Sequence, residues 1–296
     1  MARLRFEANI SILFTELPLL ARPAAAKAAG FDAVELWWPF ADPVPQAAEL
    51  DRLGDALRGA GVDLVGLNFD GGDLGAGERG LLSLPDAGPR FEDNVACAVS
   101  FAGSLGTTVL NALYGNRAEG IAPQAQDEIA LERLAHAARA AARVGARVVL
   151  ETQNQLDSPR YPLRDPARAA AIVAEMRGDG HANVGLLCDY YHLAVEGYDL
   201  VGSTDAYLDL IDHVQVADAP GRHEPGTGGV DYELVLGHLA GAGYGGWVGC
   251  EYRPSGKSAE SFGWLESFRR GDPPEATHQK RPTSEDGGSA MTEEVR

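Results

Sequence analysis

Val148-Val149-Leu150-Glu151-Thr152-Gln153-Asn154 decides the fold. Three apolar, β-forming residues run straight into a carboxylate and then into amides, with no charge before the glutamate. A parallel strand covered on both faces reads as an unbroken apolar run. In a closed barrel, the groups that carry chemistry sit where such a run ends. Three later stretches repeat the design: Val184-Gly185-Leu186-Leu187-Cys188-Asp189, His213-Val214-Gln215-Val216-Ala217-Asp218 and Trp247-Val248-Gly249-Cys250-Glu251.

Working outward, strand patterns at 4–10, 32–38, 63–69, 107–113, 147–153, 184–190, 212–218 and 246–252 alternate with helical ones. The helical segments are 16–29, 45–60, 90–105, 124–144, 165–177, 203–210, 231–242 and 258–270. The clearest is 124–144, with Ile129, Leu131, Leu134, Ala138, Ala141 and Val144 at helical spacing. Gly30, Gly61, Gly106, Gly145 and Gly243 each follow a helix and precede a strand, where a left-handed residue ends the helix. Eight strand–helix units in this length predict an α/β fold, a (β/α)8 TIM barrel. The rival, an open doubly wound sheet, usually has a Gly-rich turn after an early strand. Here the first strand leads into Asn9-Ile10-Ser11-Ile12-Leu13-Phe14, without glycine. We therefore expect one barrel domain over 1–271 and a disordered tail over 272–296, which is rich in Pro, Gly, Ser, Thr and charge. Two long loops, 70–80 after the third strand and 218–228 after the seventh, belong on the catalytic side of such a barrel.

The net charge of −18 argues against a nucleic-acid partner, which demands a basic surface. Residues 271–296 hold six acids and three Lys/Arg, so 15 of those charges belong to the rest of the chain. No stretch approaches the roughly 20 apolar residues of a membrane helix. The N-terminus enters strand-like sequence without a signal peptide's apolar region, so a cytoplasmic protein is expected. Cys97, Cys188 and Cys250 are odd in number and widely spaced, which suits reduced thiols better than disulfides or zinc.

A barrel gathers the ends of its fifth to eighth strands around one side of its mouth, bringing Glu151, Asp189, Gln215 and Glu251 together. Taken singly, such an acid reads as a helix cap or ion-pair partner. Four oxygen-bearing groups in succession read as a site for a hard or borderline divalent cation, Mg²⁺ or Mn²⁺. Three carboxylates packed together would repel each other without one.

Phe6-Glu7-Ala8-Asn9-Ile10-Ser11, Gly77-Glu78-Arg79-Gly80, Glu224-Pro225-Gly226-Thr227-Gly228 and Gly246-Trp247-Val248-Gly249-Cys250-Glu251-Tyr252 resemble the hydroxypyruvate isomerase family. That family belongs to the xylose-isomerase-like barrels, which also include ketose 3-epimerases and an endonuclease. The resemblance spans about residues 4–270 and implies that Glu151, Asp189, Gln215 and Glu251 hold the metal. It further implies that Glu151 and Glu251 are the paired catalytic acids, and that His192 and Arg222 bind substrate. The implied reaction interconverts hydroxypyruvate and tartronate semialdehyde, a small hydroxy-keto acid pair, through an enediolate. The resemblance also allows a homo-oligomer, a dimer or tetramer.

For His192 the structural alternative is stacking in a Tyr190-Tyr191 cluster; for Arg222 it is a solvated loop charge. The sequence departs from the family at Thr152, where a proline is usual, and at Leu67, where a histidine is expected. Both departures are read as changes to the pocket wall. Glu35, Trp37 and Trp38 at the second strand's end offer another wall, although packing under a loop is the better reading of the tryptophans. Isomerisation of a four-carbon 2-oxo acid (2-oxo-tetronate) and ketose 3-epimerisation use the same two glutamates and stay open. Phosphodiester cleavage would need more metal ligands and a basic groove. A non-catalytic binding barrel would be expected to lack one of the paired glutamates.

Overall fold

Eight parallel strands close into a barrel in strict sequence order in a computed structural model, which describes residues 3–270. They are β1 (Arg5–Asn9), β2 (Ala33–Leu36), β3 (Asp63–Asn68), β4 (Val109–Asn111), β5 (Arg147–Glu151), β6 (Val184–Asp189), β7 (Ile211–Val216) and β8 (Trp247–Cys250). All eight overlap the segments read from the sequence. The barrel closes where Arg5, Phe6, Glu7 and Ala8 of β1 pair with Trp247, Val248, Gly249 and Cys250 of β8. The expected tail at 272–296 lies outside the described residues.

The helices are α1 (Arg22–Ala28), α2 (Ala47–Ala60), α3 (Gly88–Leu105), α4 (Pro123–Ala142), α5 (Pro166–Gly178), α6 (Tyr190–Val195), α7 (Leu200–Tyr207), α8 (Tyr232–Gly241) and α9 (Leu265–Arg270). The short α6 is absent from the sequence reading, which ran the sixth strand through Tyr190. Asp189 ends that strand and caps α6, its side chain accepting the Tyr191 N–H. The five glycines expected to end helices all have positive φ, between 66° and 90°, the conformation for which glycine carries no Cβ penalty. Helix α4 buries Ala130, Leu134, Ala137, Ala138 and Ala141. Val144, expected on that face, lies beyond the helix end and is 38% exposed.

Alternation along β5 explains where chemistry appears. Val148 and Leu150 join the large core between sheet and helices, whereas Val149 packs with Val109 and Leu187 in a separate small cluster. Successive strand side chains point to opposite faces, so Val149 and Glu151 face the barrel axis, with Glu151 last. Tyr161, fully buried, ties down this strand end. Its Oη donates to the Glu151 carbonyl (3.1 Å) and accepts the Tyr114 N–H (2.9 Å).

Tyr161→Phe would strip both partners and leave a buried N–H and C=O unsatisfied, a loss of about 1–3 kcal/mol. Urea unfolding should show that decrease, and an unchanged midpoint would remove Tyr161 from its anchoring role.

Candidate active site

At the C-terminal mouth lies a cavity of about 280 Å³. Among its lining residues are Glu151, His192, Arg222 and Glu251 of the expected set, with Leu74 and Arg79 from the loop after β3. Asp189 and Gln215 stand opposite each other in the β6–β7 ladder, and Gln215 stands opposite Gly249 in the β7–β8 ladder. Glu251 extends β8, its N–H bonding to the Val216 carbonyl.

Asp189 is the hub. His192 Nε2 lies 3.5 Å from both Glu151 Oε1 and Asp189 Oδ2. Arg222 Nη2 lies 3.2 Å from Glu251 Oε2 and 3.7 Å from Asp189 Oδ2. Burial raises the Glu151 carboxyl to about 7, helped by the Asp189 charge and opposed by a hydrogen bond from Asn111. Burial likewise lifts Asp189 to about 6 against the pull of Arg222. Glu251 goes well above the ordinary carboxylate range for the same reason, again opposed by Arg222.

His192 does more than stack. Its ring does approach Tyr191 (5.3 Å between centroids), but Nδ1 accepts the Asn154 backbone N–H at 3.1 Å. That bond places the ring proton on Nε2, the nitrogen facing the two carboxylates. Burial, with the charges of Arg222 and Arg79, holds its pKa well below the usual value. His192 is therefore neutral, with its Nε2–H aimed into the cavity, and it stands with Glu151 and Asp189 in a group close enough to hold an ion.

Arg222 is not a solvated loop charge: its side chain is 14% exposed, and its guanidinium lies over the Tyr191 ring at 5.0 Å. Asp218, the acid at the seventh strand's end, builds the loop that carries it. Its carboxylate accepts N–H groups of Ala219, Gly226 and Val230. The Asp218 backbone carbonyl accepts the N–H of Arg222 itself. Arg222 Nε is buried without a partner among the described residues, a donor open to a ligand. Arg253 lines the same cavity, its guanidinium likewise without a partner among them.

The donor chemistry fits a divalent cation. Glu151 and Asp189, with His192, lie close enough together to hold an ion, and Asp189 Oδ2 and Gln215 Oε1 are buried with no hydrogen-bond partner among the described residues. Unpaired acceptors of this kind are costly unless something electropositive faces them.

The structure corrects three readings. Thr152 does not touch the cavity; it points outward into a crevice with Leu186, Leu187 and Cys188, as alternation after Glu151 requires. Leu67 is buried in the main core, and Asn68 is the β3 residue on the wall. The tryptophans divide. Trp38 packs against Phe40, but Trp37 lines the cavity and donates its Nε1–H to Glu251 Oε1 at 2.6 Å.

Three contributors were missed. Asn9 donates to both Glu35 and Glu251, Asn111 donates to Glu151, and Gln153 lines the wall. A signal existed: β1, β3 and β4 also end on a polar side chain, in Asn9, Asn68 and Asn111. Beneath the mouth, Glu35 pairs with His213 at 2.8 Å, and Glu7 lies 3.3 Å from the same nitrogen. Burial works against a charged His213, but the hydrogen bonds and charges of Glu35 and Glu7 overcome it and raise the ring to about 10. Burial also pushes Glu35 up, yet the His213 charge and its hydrogen bonds bring it below the usual value.

Residues 23–268 match the family described as xylose isomerase-like TIM barrel. A Streptomyces coelicolor protein carrying the hydroxypyruvate isomerase name is 53% identical over 270 residues, covering 90% of this chain and 97% of its own. A 2-oxo-tetronate isomerase from Cupriavidus necator is 35% identical over 269 residues, covering 89% of this chain and 98% of its own. A crystal structure from Brucella melitensis, described as AP endonuclease, family 2, superposes with a TM-score of 0.80 at 32% identity, covering 90% and 98% of the two chains. With an eight-stranded barrel whose acids and amides meet at one mouth, the chain is an isomerase and belongs to the hydroxypyruvate isomerase family of xylose isomerase-like TIM barrels.

Proposed function

We propose that this enzyme is a metal-dependent aldose–ketose isomerase that interconverts hydroxypyruvate and tartronate semialdehyde. The observation that carries the reading is the pairing of Glu151 and Glu251 on one small cavity, linked through Asp189 by His192 on one side and Arg222 on the other. Glu151, Asp189, Gln215 and Glu251 would hold the divalent ion, Mg²⁺ or Mn²⁺. When bound, that ion supplies a Lewis acid for the substrate's carbonyl and neighbouring hydroxyl oxygens.

The chain's own residues handle the protons. One glutamate takes the proton from the hydroxyl-bearing carbon as that C–H bond breaks, and the other serves the second proton from across the substrate plane. A Glu151 carboxyl raised to about 7 and a Glu251 carboxyl raised well above the ordinary range, both by burial, suit the two halves of that exchange. His192 Nε2–H donates to a substrate oxygen. Arg222, through its open Nε–H, and Arg253 at the rim take the substrate carboxylate.

Of the three arginines that line the cavity, Arg222 and Arg253 have donors open to it and favour an acid over a neutral ketose. The relative named 2-oxo-tetronate isomerase keeps a four-carbon acid as the second reading. A cavity of about 280 Å³ in a chain of net charge −18 fits a small molecule and not a nucleic-acid backbone, despite the description of the Brucella structure. The three free cysteines accord with a cytoplasmic setting.

Glu151→Gln and Glu251→Gln should each lower kcat by about 10²–10⁴ or more. The thermal midpoint of the metal-free protein should hold or rise, because each change removes a buried charge. Turnover within a few-fold of wild type would exclude the shuttle. A panel of hydroxypyruvate, 2-oxo-tetronate and free ketoses, run in D₂O, fixes substrate and reaction class together. Deuterium should enter the original carbonyl carbon, whereas epimerisation would return it to the hydroxyl-bearing carbon beside the carbonyl, and turnover confined to ketoses would overturn the acid reading.

The pH dependence has a defined sign. Glu151 and Asp189 have folded pKa values of about 7 and 6, above the ordinary carboxylate range. Between that range and about 7 the metal-free fold binds more protons than the unfolded chain, so its stability falls as pH rises through this window. Cation binding needs the deprotonated forms. Mn²⁺ affinity should therefore drop as pH falls from 8 to below 6, with protons released on binding near neutrality. Calorimetry in buffers of different ionisation enthalpy reads both effects, and a pH-independent affinity would remove these carboxylates from the ligand set.

A further inference from the structure

Below the mouth lies a second polar layer that the proposed chemistry leaves unused: Glu7 of β1, Glu35 of β2 and His213 of β7, all buried. Two glycines make room for it. A Cβ on Gly249 would stand 2.7 Å from Glu7 Oε1 and 2.8 Å from Glu35 Oε1, and one on Gly66 would stand 3.2 Å from Glu35 Oε2. The three side chains offer atoms close enough to hold a cation of their own. However, His213 Nε2 and Glu35 Oε2 already satisfy each other at 2.8 Å.

The other oxygen of Glu35 points up toward the site. Glu35 Oε1 accepts the Gln215 Nε2–H at 2.7 Å and the Asn9 Nδ2–H at 2.9 Å. Asn9 Nδ2 also donates to Glu251 Oε1 at 3.1 Å. One carboxylate oxygen thus reaches the amide of β7 directly and the β8 glutamate through a single asparagine.

An amide has two faces of opposite polarity, and a carboxylate neighbour accepts only from the N–H face. With Nε2 committed to Glu35, Gln215 Oε1 is left buried and without a partner among the described residues. The opposite orientation would set the amide oxygen against an anion and turn N–H groups toward the ligand cluster.

We propose that Glu35 is a positioning residue that fixes the amide of Gln215 with its oxygen toward the cation site, and that through Asn9 it also steadies Glu251. This rests on the metal-dependent reading above. Partners of this kind orient ligands without touching the ion, and their removal typically lowers metal affinity 10–100-fold.

The test is Mn²⁺ binding, read by calorimetry and by the electron paramagnetic resonance of free Mn²⁺, with circular dichroism melts as the check on folding. Glu35→Gln can donate to Gln215 and turn its amide over, so Mn²⁺ should bind about 10–100-fold more weakly than to wild type. In the double variant Glu35→Gln/Gln215→Glu the polarity is exchanged: the new amide donates to the new carboxylate. That protein should recover affinity to within about tenfold of wild type.

Equal Mn²⁺ affinity in wild type and Glu35→Gln would overturn the positioning role while leaving the metal reading intact. Failure of wild type to bind Mn²⁺ would overturn the metal reading, and this inference with it. If Glu35→Gln does not fold, the exchanged pair decides: a folded double variant that fails to bind overturns the proposal.

Discussion

Three buried carboxylates, those of Glu151, Asp189 and Glu251, meet at the mouth of the barrel, and their mutual repulsion is the constraint that the surrounding structure has to meet. Two unit charges about 4 Å apart interact by about 4 kcal/mol at an effective dielectric of about 20, a large fraction of a domain's net stability. Burial first, and for Glu151 and Glu251 the neighbouring carboxylates second, raise the carboxyl pKa values in the metal-free chain. Arg222 answers part of the repulsion by reaching two of the three carboxylates with one nitrogen. Asn111, Asn9 and Trp37 answer more by donating to carboxylate oxygens without adding charge.

Those donors explain why the loops are built as they are. Arg222 arrives on a segment whose backbone N–H groups converge on the buried carboxylate of Asp218, so its position is set by the loop's own hydrogen bonds. On the opposite rim, Arg79 donates to Ser158 Oγ and to the Leu74 and Glu78 carbonyls, tying the loop after β3 to the loop after β5. Arg133, buried on α4, donates to the carbonyls of Leu81, Leu82, Leu84 and Pro85 and fixes the base of the first of these loops. Both long loops read from the sequence thus stand at the cavity, the first held by Arg79 and Arg133 through partners that include atoms far away in sequence, the second by the carboxylate of Asp218.

That remoteness marks what the sequence could disclose. The eight strands and the ends of β5 to β8 were legible because alternation and apolar runs are local signals, and the terminal glycines were legible because a left-handed turn has a local cost. Helix α6 was not, since it owes its start to the Asp189 cap and runs only six residues, too short for periodicity. Thr152 was misplaced for want of the same alternation that placed Glu151: the next residue along must face the helices. Asn9 and Asn111 escaped because an amide alone carries no charge signature, and their value comes from carboxylates 242 and 40 residues away. The Glu7–Glu35–His213 layer escaped for a related reason. Its members are spread over three strands, and nothing local distinguishes a barrel-facing glutamate from an exposed one.

Gln215 on β7, the neutral member of the proposed ligand set, adds no charge to the cluster. A fourth carboxylate in place of Gln215 would add another like charge to a site already strained by three. The amide supplies oxygen at no cost in charge, provided that its N–H face is engaged elsewhere, as Glu35 engages it. The divalent ion we propose would offset two of the three carboxylate charges, and Arg222 the third. With Asp157 on the wall matched by Arg79, the mouth would then present no net negative charge to an incoming acid, and the Arg253 guanidinium at its rim has no partner among the described residues. On this reading, an enzyme of net charge −18 draws an anionic substrate into an acid-lined cavity because the local balance at the barrel mouth, not the field of the whole molecule, decides what binds.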